Sequence, residues 1–317
     1  MIISASRRTD IPTFYSKWFE RRVQEGFLYV RNPMNIHQVS EISLDPSVVD
    51  CIVFWTKNPI PMLKRLDSFS DYPFYFQFTL TGYGKDIEAN LPDKKGGLVP
   101  AFQQLANEIG SDRVIWRYDP IVFNEKYTPE YHLHAIAEIA RLLDGSTRKC
   151  VISFVDTYRK NKKAMGELGA YGIEGDELLS FARSIAEIAG EHGMSVATCA
   201  EVVDLSQAGI EHNCCIDPEL IASIVGNPLK VGKDKTQRQE CGCVSSIDIG
   251  SYNTCANGCR YCYANFSQSA VDANMANHDW ESPLLYGHLE EGDKVTKRKM
   301  SLLAIAAQPD QLSLLDL

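Results

Sequence analysis

The stretch Cys51-Ile-Val-Phe-Trp-Thr-Lys-Asn-Pro59 sets the pattern by which this chain folds. Its first six residues are apolar, β-branched or aromatic, as in a strand buried on both faces, and the run stops at polar and turn-forming residues that lead into a helical stretch. The same reading applies to residues 2–6, 74–81, 113–118, 150–154 and 195–199. Helical periodicity occupies 14–25, 62–67, 99–109, 129–143 and 175–192, with a further helix at 217–225. In the fourth of these, Leu133, Ile136, Ala140 and Leu143 share one face. Six βα units in series predict an α/β fold, with a parallel sheet curved into a (β/α)6-type partial TIM barrel over residues 1–228.

Such folds carry their chemistry where strands end, and these ends are polar. They read Ser4-Ala-Ser-Arg-Arg-Thr-Asp10, Trp55-Thr-Lys-Asn-Pro59, Thr79-Leu-Thr-Gly-Tyr83, Trp116-Arg-Tyr-Asp-Pro120, Ser153-Phe-Val-Asp-Thr-Tyr158 and Thr198-Cys-Ala-Glu201. Any one could be a helix cap or a turn. Six together on one rim predict a site. Arg7, Arg8 and Arg117 offer guanidinium forks for phosphate or carboxylate. With Asp10, Asp119 and Glu201 they are the candidates for holding and processing substrate, the plainer reading being rim salt bridges among the six. Tyr118 and Tyr158 could pass a hydrogen atom or simply pack.

The chain has 317 residues, enough for a full core without metal or disulfide staples, so a metal here would serve chemistry. Hydrophobic residues at 44% and charged residues at 23% exclude a disordered or collagen-like chain. No apolar run approaches the ~18 residues of a membrane span, and the opening residues lack a signal-peptide core, which predicts a cytoplasmic protein with no membrane partner. The formal charge of −9 argues against a generally basic nucleic-acid-binding surface and leaves room only for a local basic cleft.

In a reducing compartment clustered thiols point to metal or redox chemistry. All ten cysteines except Cys51 and Cys150 lie between positions 199 and 262. Cys255-Ala-Asn-Gly-Cys259-Arg-Tyr-Cys262 is a C-x3-C-x2-C run, suited to three irons of a [4Fe–4S] cluster with the fourth left open. A structural zinc would want four closed ligands. Cys199, Cys215, Cys241 and Cys243 could form a second, closed four-thiolate site with Cys214 spare, or could be small buried hydrophobes. Residues 229–300 read as a cysteine-rich segment packed on the barrel rim.

The spacing, with Tyr261 before the last cysteine and Tyr263 after it, resembles the signature of radical S-adenosylmethionine enzymes. That resemblance implies a partial (β/α)6 barrel and an open iron that chelates the nucleotide's methionine part. It also implies a reductant such as flavodoxin or ferredoxin and a 5′-deoxyadenosyl radical that abstracts hydrogen from substrate. In most of that superfamily the trio follows the first strand; here it follows the sixth βα unit, so either the barrel is circularly permuted, with 244–249 feeding the cluster loop, or a C-terminal extension folds back over the rim. The whole chain to about residue 290 also resembles the bacterial family of domain of unknown function 1848, through Ser4-Ala-Ser-Arg-Arg-Thr-Asp-Ile-Pro12, Phe54-Trp-Thr-Lys-Asn-Pro59, Trp116-Arg-Tyr-Asp-Pro120 and Asp248-Ile-Gly-Ser-Tyr-Asn-Thr-Cys255 onward to Asn265.

More distantly, the cysteine run together with Phe54-Trp-Thr-Lys57 looks like spore photoproduct lyase, with the two motifs in reversed order. This likeness implies that Lys57 meets the carboxylate of S-adenosylmethionine and that Thr79, Thr81 and Tyr261 help bind the nucleotide. It inclines the substrate towards damaged DNA, with a small metabolite or peptide as the alternative within the enzyme class, and a non-catalytic iron–sulfur redox sensor or clamp-associated module outside it. The last residues, 301–317, read as a tail in which Gln311-Leu-Ser-Leu-Leu315 resembles a sliding-clamp-binding peptide. An amphipathic end packed on its own barrel is the other reading of that tail.

Overall fold

The computed structural model describes residues 1–156 and 161–305. Tyr158 and the clamp-like peptide at 311–315 lie outside those residues. In chain order the elements are β1 (Ile2–Ala5), α1 (Ile11–Phe14), α2 (Ser16–Glu25), β2 (Phe27–Asn32), β3 (Asn35–Ser43), β4 (Cys51–Thr56), α3 (Ile60–Leu63) and β5 (Phe74–Thr79). Then come α4 (Val99–Ile109), β6 (Val114–Ile121), α5 (Pro129–Leu142), β7 (Lys149–Phe154), α6 (Lys162–Glu167), α7 (Gly175–Glu191) and β8 (Ser195–Thr198). The chain continues through β9 (Glu211–His212), α8 (Pro218–Val225), β10 (Ile247–Asp248), α9 (Gln268–Ala276) and β11 (Lys294–Lys297).

Eight strands form one parallel sheet in the order β10-β1-β4-β5-β6-β7-β8-β9. From β1 to β9 the order is sequential. The expected six strands are all present, each followed by helix, because each is apolar enough to be covered on both faces. One face buries Ile3, Ile52, Phe54, Phe76, Phe78 and Trp116 against the helices. The other face presents Ile2, Cys51, Val53, Tyr75, Ile115 and Val151 to Ile216, Ile221 and Val244, so the segment from 213 to 244 fills it. The two edge strands, β9 and β10, are not paired with each other among the described residues.

Helix starts follow the local chemistry. The Thr128 hydroxyl accepts from Tyr131 N with Pro129 at the first turn of α5, and Asp217 does the same for Glu219 N and Leu220 N at α8. The expected helix at 62–67 is instead the single turn α3 followed by a 3-10 turn, Leu66–Phe69. Five strands lie outside the six expected runs: β2, β3 and β11 form a separate three-stranded sheet, and β9 and β10 extend the large one. No helix among the described residues is long and apolar enough to cross a membrane.

Candidate functional site

β10 places the cysteine trio. It pairs in parallel with β1, Ile3 beside Ile247 and Ser4 beside Asp248, so the chain leaves its C-terminal end onto the same rim as the other strand ends. Asp248 fastens the junction by accepting from Ser4 Oγ (3.2 Å), Ser6 Oγ (2.7 Å), Arg7 N (2.8 Å) and Gly250 N (3.0 Å). A Cβ at Gly250 would overlap the Ser6 side chain, which is why the close approach needs glycine.

The loop that follows is stitched to two neighbours. Tyr15 Oη donates to Thr254 O at 2.5 Å, Asn90 N and Nδ2 donate to Asn257 O and Ala256 O, and Arg260 N donates to Ile87 O. Asp10 ties three segments together: it caps α1 through Thr13 N and accepts from Thr56 Oγ1 (2.8 Å), Lys57 N (2.8 Å) and Asn257 Nδ2 (3.0 Å). Its carboxylate thus holds the rim segments together.

Cys255, Cys259 and Cys262 lie close enough on this loop for their charges to act on one another, and the Cys259 thiol is hydrogen-bonded by the Tyr261 side chain. Burial raises all three thiols, Cys259 to about 12 despite the nearby Lys57. Beside them Glu88, which sequence reasoning missed, gathers a compact charge group. Its carboxylate accepts from Lys57 Nζ (2.9 Å), Thr81 Oγ1 (2.9 Å), Lys94 Nζ and Tyr261 Oη. Burial would raise the Glu88 carboxyl, but Lys57 and Lys94 hold it down to about 2. Lys57 also stands 5.3 Å from the Tyr261 ring centre. Thr81 therefore anchors Glu88, while the half-buried Thr79 hydroxyl has no hydrogen-bond partner among the described residues.

A second group lies deeper, on the face opposite the helices. Cys199 Sγ is 3.3 Å from Cys215 Sγ, Cys215 is hydrogen-bonded to Cys243, and Cys243 to Cys241. These are the four thiols expected to gather; Cys214 turns aside and donates to Gly242 O at 3.0 Å. Buried Arg117 donates to Cys215 Sγ (2.8 Å) and Gln77 Oε1 (3.1 Å) and pairs with Asp119, which also accepts from Ser153 Oγ (2.8 Å). Arg7 and Arg117 flank Trp55, with guanidinium carbons 5.6 and 5.1 Å from its ring centre. Glu201 accepts from Phe154 N (2.8 Å), and burial with Asp156 and Asp119 nearby pushes its carboxyl up to about 7.

Among the described residues the expected rim salt bridges are realised only as Arg117–Asp119. Arg8 instead lies over Tyr252 at 5.2 Å. Tyr118 is fully buried, its hydroxyl 2.8 Å from His132 Nδ1, and packs rather than facing the site. Cys51 and Cys150 are likewise packing residues. Among the described residues, no group of three or more His, Cys, Asp or Glu side chains is arranged around a single metal ion. A cubane asks for something different, thiolates standing apart round a body of irons and sulfides; the trio beside Lys57 fits such an anionic cluster in donor chemistry, whereas the four-thiol group beside Arg117 offers the donors with Cys199 and Cys215 in contact at 3.3 Å.

No curated protein matches the chain. A solved structure from Bacteroides thetaiotaomicron VPI-5482, provisionally assigned as an alpha-L-fucosidase, is similar at 11% identity and a TM-score of 0.29, covering 67% of this chain and 89% of that one. The family model of the domain of unknown function DUF1848 matches residues 2–264, from the first strand through the cysteine trio, and the chain belongs to that family.

Proposed function

We propose that the chain is a radical S-adenosylmethionine enzyme on a permuted partial (β/α) barrel, with a [4Fe–4S] cluster on Cys255, Cys259 and Cys262. The observation that carries this reading is the parallel pairing of β10 with β1. It makes the strand that feeds the trio the last of this sheet's strands in the chain but first in the spatial order β10-β1-β4-β5-β6-β7-β8. A cluster loop after the first strand is what the superfamily resemblance implies. The sequential order and the separately packed inner face support a sheet curved as in a barrel.

When bound, such a cluster supplies the electron that cleaves S-adenosylmethionine to a 5′-deoxyadenosyl radical, the electron coming from a reductant such as flavodoxin or ferredoxin. The chain's own residues prepare the place. The three thiols give up their protons on ligation. Lys57 and Lys94 carry two positive charges against the single negative charge of Glu88, so the group has a surplus with which to meet a carboxylate. Thr79 has a hydroxyl to offer beside it. Tyr83, Tyr127 and Tyr261 pack into one cluster under the loop and keep water from that side. Cys199, Cys215, Cys241 and Cys243 would hold a second, closed cluster, with Arg7 and Arg117 opposing its negative charge.

The test is anaerobic reduction with S-adenosylmethionine. Release of 5′-deoxyadenosine that is lost in Cys255→Ala, Cys259→Ala and Cys262→Ala is the expected result. A fully reconstituted protein that releases none overturns the enzyme reading in favour of a redox sensor. Iron content separates the cofactor sets, about eight irons per chain for two clusters and about four for one.

A further inference from the structure

A cavity of about 670 Å³ opens between the large sheet's rim and the small sheet of β2, β3 and β11, and it is basic. Arg7, Arg8, Arg31, Lys233, Lys235 and Arg298 line it, against only Asp234 and Asp248 among acidic residues. They come from four separate parts of the chain: the loop after β1, strand β2, the 233–235 loop and the segment after β11. Both carboxylates are occupied, Asp248 by the β1 junction and Asp234 by Thr236. Arg31 is neutralised by Asp293. Arg7, Arg8, Lys233, Lys235 and Arg298 make no ion pair among the described residues, and Nη2 of Arg7 is buried without a hydrogen-bond partner. In a chain of net charge −9, that is a local concentration of uncompensated positive charge.

Aromatic rings adjoin it. Arg8 lies 5.2 Å over Tyr252, whose ring is paired with Phe266 at 6.3 Å, and Phe266 is 51% exposed. Tyr263, 44% exposed, donates to Arg7 O at 2.8 Å. All three rings belong to the segment that carries the cysteine trio. A groove that joins unpaired cations to exposed aromatic rings has the chemistry of a single-strand nucleic-acid site, where phosphates meet the charges and bases stack on the rings. At about 670 Å³ the cavity has the volume of a small-molecule pocket, the size that takes a nucleotide unit rather than a whole duplex turn.

We propose that this groove binds single-stranded or extruded nucleic acid, with Arg8, Lys235 and Arg298 on phosphates and Phe266 under a base. This deepens the enzyme reading by naming its substrate class, and it rests on that reading only for the fate of the bound strand. Binding is therefore measured without S-adenosylmethionine or reductant, so its failure is distinguishable from failure of the radical chemistry.

The probe is a fluorescein-labelled oligothymidylate of about twelve nucleotides, followed by anisotropy against the full chain over a range of salt. Lys235→Gln with Arg298→Gln, both exposed positions, should weaken binding at least tenfold at low salt. It should also lower the slope of log affinity against log salt by about 1.4, two contacts at about 0.7 each. Phe266→Ala should weaken the oligonucleotide several-fold while leaving inorganic polyphosphate unaffected, with iron content unchanged in every variant. No binding at low salt overturns the proposal, and so does binding indifferent to the charge variants. Equal competition by polyphosphate or by phosphatidylglycerol vesicles, with no effect of Phe266→Ala, overturns it in favour of a general polyanion or membrane surface.

Discussion

The two thiol groups of this molecule differ in how they are built. Cys255, Cys259 and Cys262 sit within eight residues of one loop, facing a polar rim with a lysine and a threonine hydroxyl beside it. Cys199, Cys215, Cys241 and Cys243 are drawn from three segments across the closed face of the sheet, where Arg117, Asn213 and the Ile216 amide already touch their sulfurs. A local loop can leave one coordination position open, because its ligands approach from one side. A group closed from several sides cannot, and in the proposed function it would hold a cluster rather than present it.

The largest expected effect breaks this comparison outright. Any one trio cysteine changed to alanine should abolish 5′-deoxyadenosine release and remove about four irons per chain, whereas Cys215→Ala should remove a different four and leave the trio's electron paramagnetic resonance signal in place. Identical iron loss from both variants would show that the groups are one site.

Arg117→Met tests the closed group from its charge side. It leaves the Asp119 carboxylate, largely buried, without its partner and should cost about 3 kcal/mol, seen as a lower urea midpoint with unchanged slope. A variant of undiminished stability would remove Arg117 from that role.

Acid sharpens the comparison from beneath the trio. His132 is fully buried, its Nδ1 2.8 Å from Tyr118 Oη and its Nε2 3.1 Å from Val122 O, and it packs on Tyr83, which packs on Tyr261. Burial lowers the His132 pKa to about 4, while the unfolded imidazole protonates near 6.5. Unfolding therefore takes up a proton between those values: this contribution is complete above pH 6.5 and is lost as pH falls to 4, about 3 kcal/mol in all. In urea titrations at stepped pH, His132→Gln should flatten that dependence. The smallest effect belongs to Gly258, at φ +68°, where an added Cβ would also meet Asn90 Nδ2 at 3.0 Å and Ala89 Cβ at 3.3 Å. Gly258→Ala should cost about 1–2 kcal/mol and lower iron retention at the trio more than at the four-thiol group.

The six inner strands were legible because a strand covered on both faces must be apolar along its whole length, and Cys51–Thr56 shows that at a glance. The hairpin of β2 and β3 carries no such signal, because its half-exposed strands mix Arg31, His37 and Gln38 with apolar residues. β10 has two residues and β11 is exposed throughout, so neither carries a pattern; each is a strand only because a partner is beside it. Within the site, the trio, Lys57 and Arg117 were readable as residue types at strand ends. Glu88 and Lys94 were not, since they come from a loop whose fold is set by Tyr127, Asn257 and the cysteine segment.

What the sequence by itself determined is therefore whatever depends on near neighbours in the chain: the apolar strands, their polar ends, the helix caps and the three-cysteine spacing. Tertiary structure alone decided that β10 lies beside β1, that Glu88 unites two lysines with Tyr261, that four distant thiols meet, and that a basic groove opens in an acidic protein. The reason is physical. Period and spacing are carried by covalent neighbours, whereas charge pairing, parallel register and cavity shape arise between segments that only the packed core brings together.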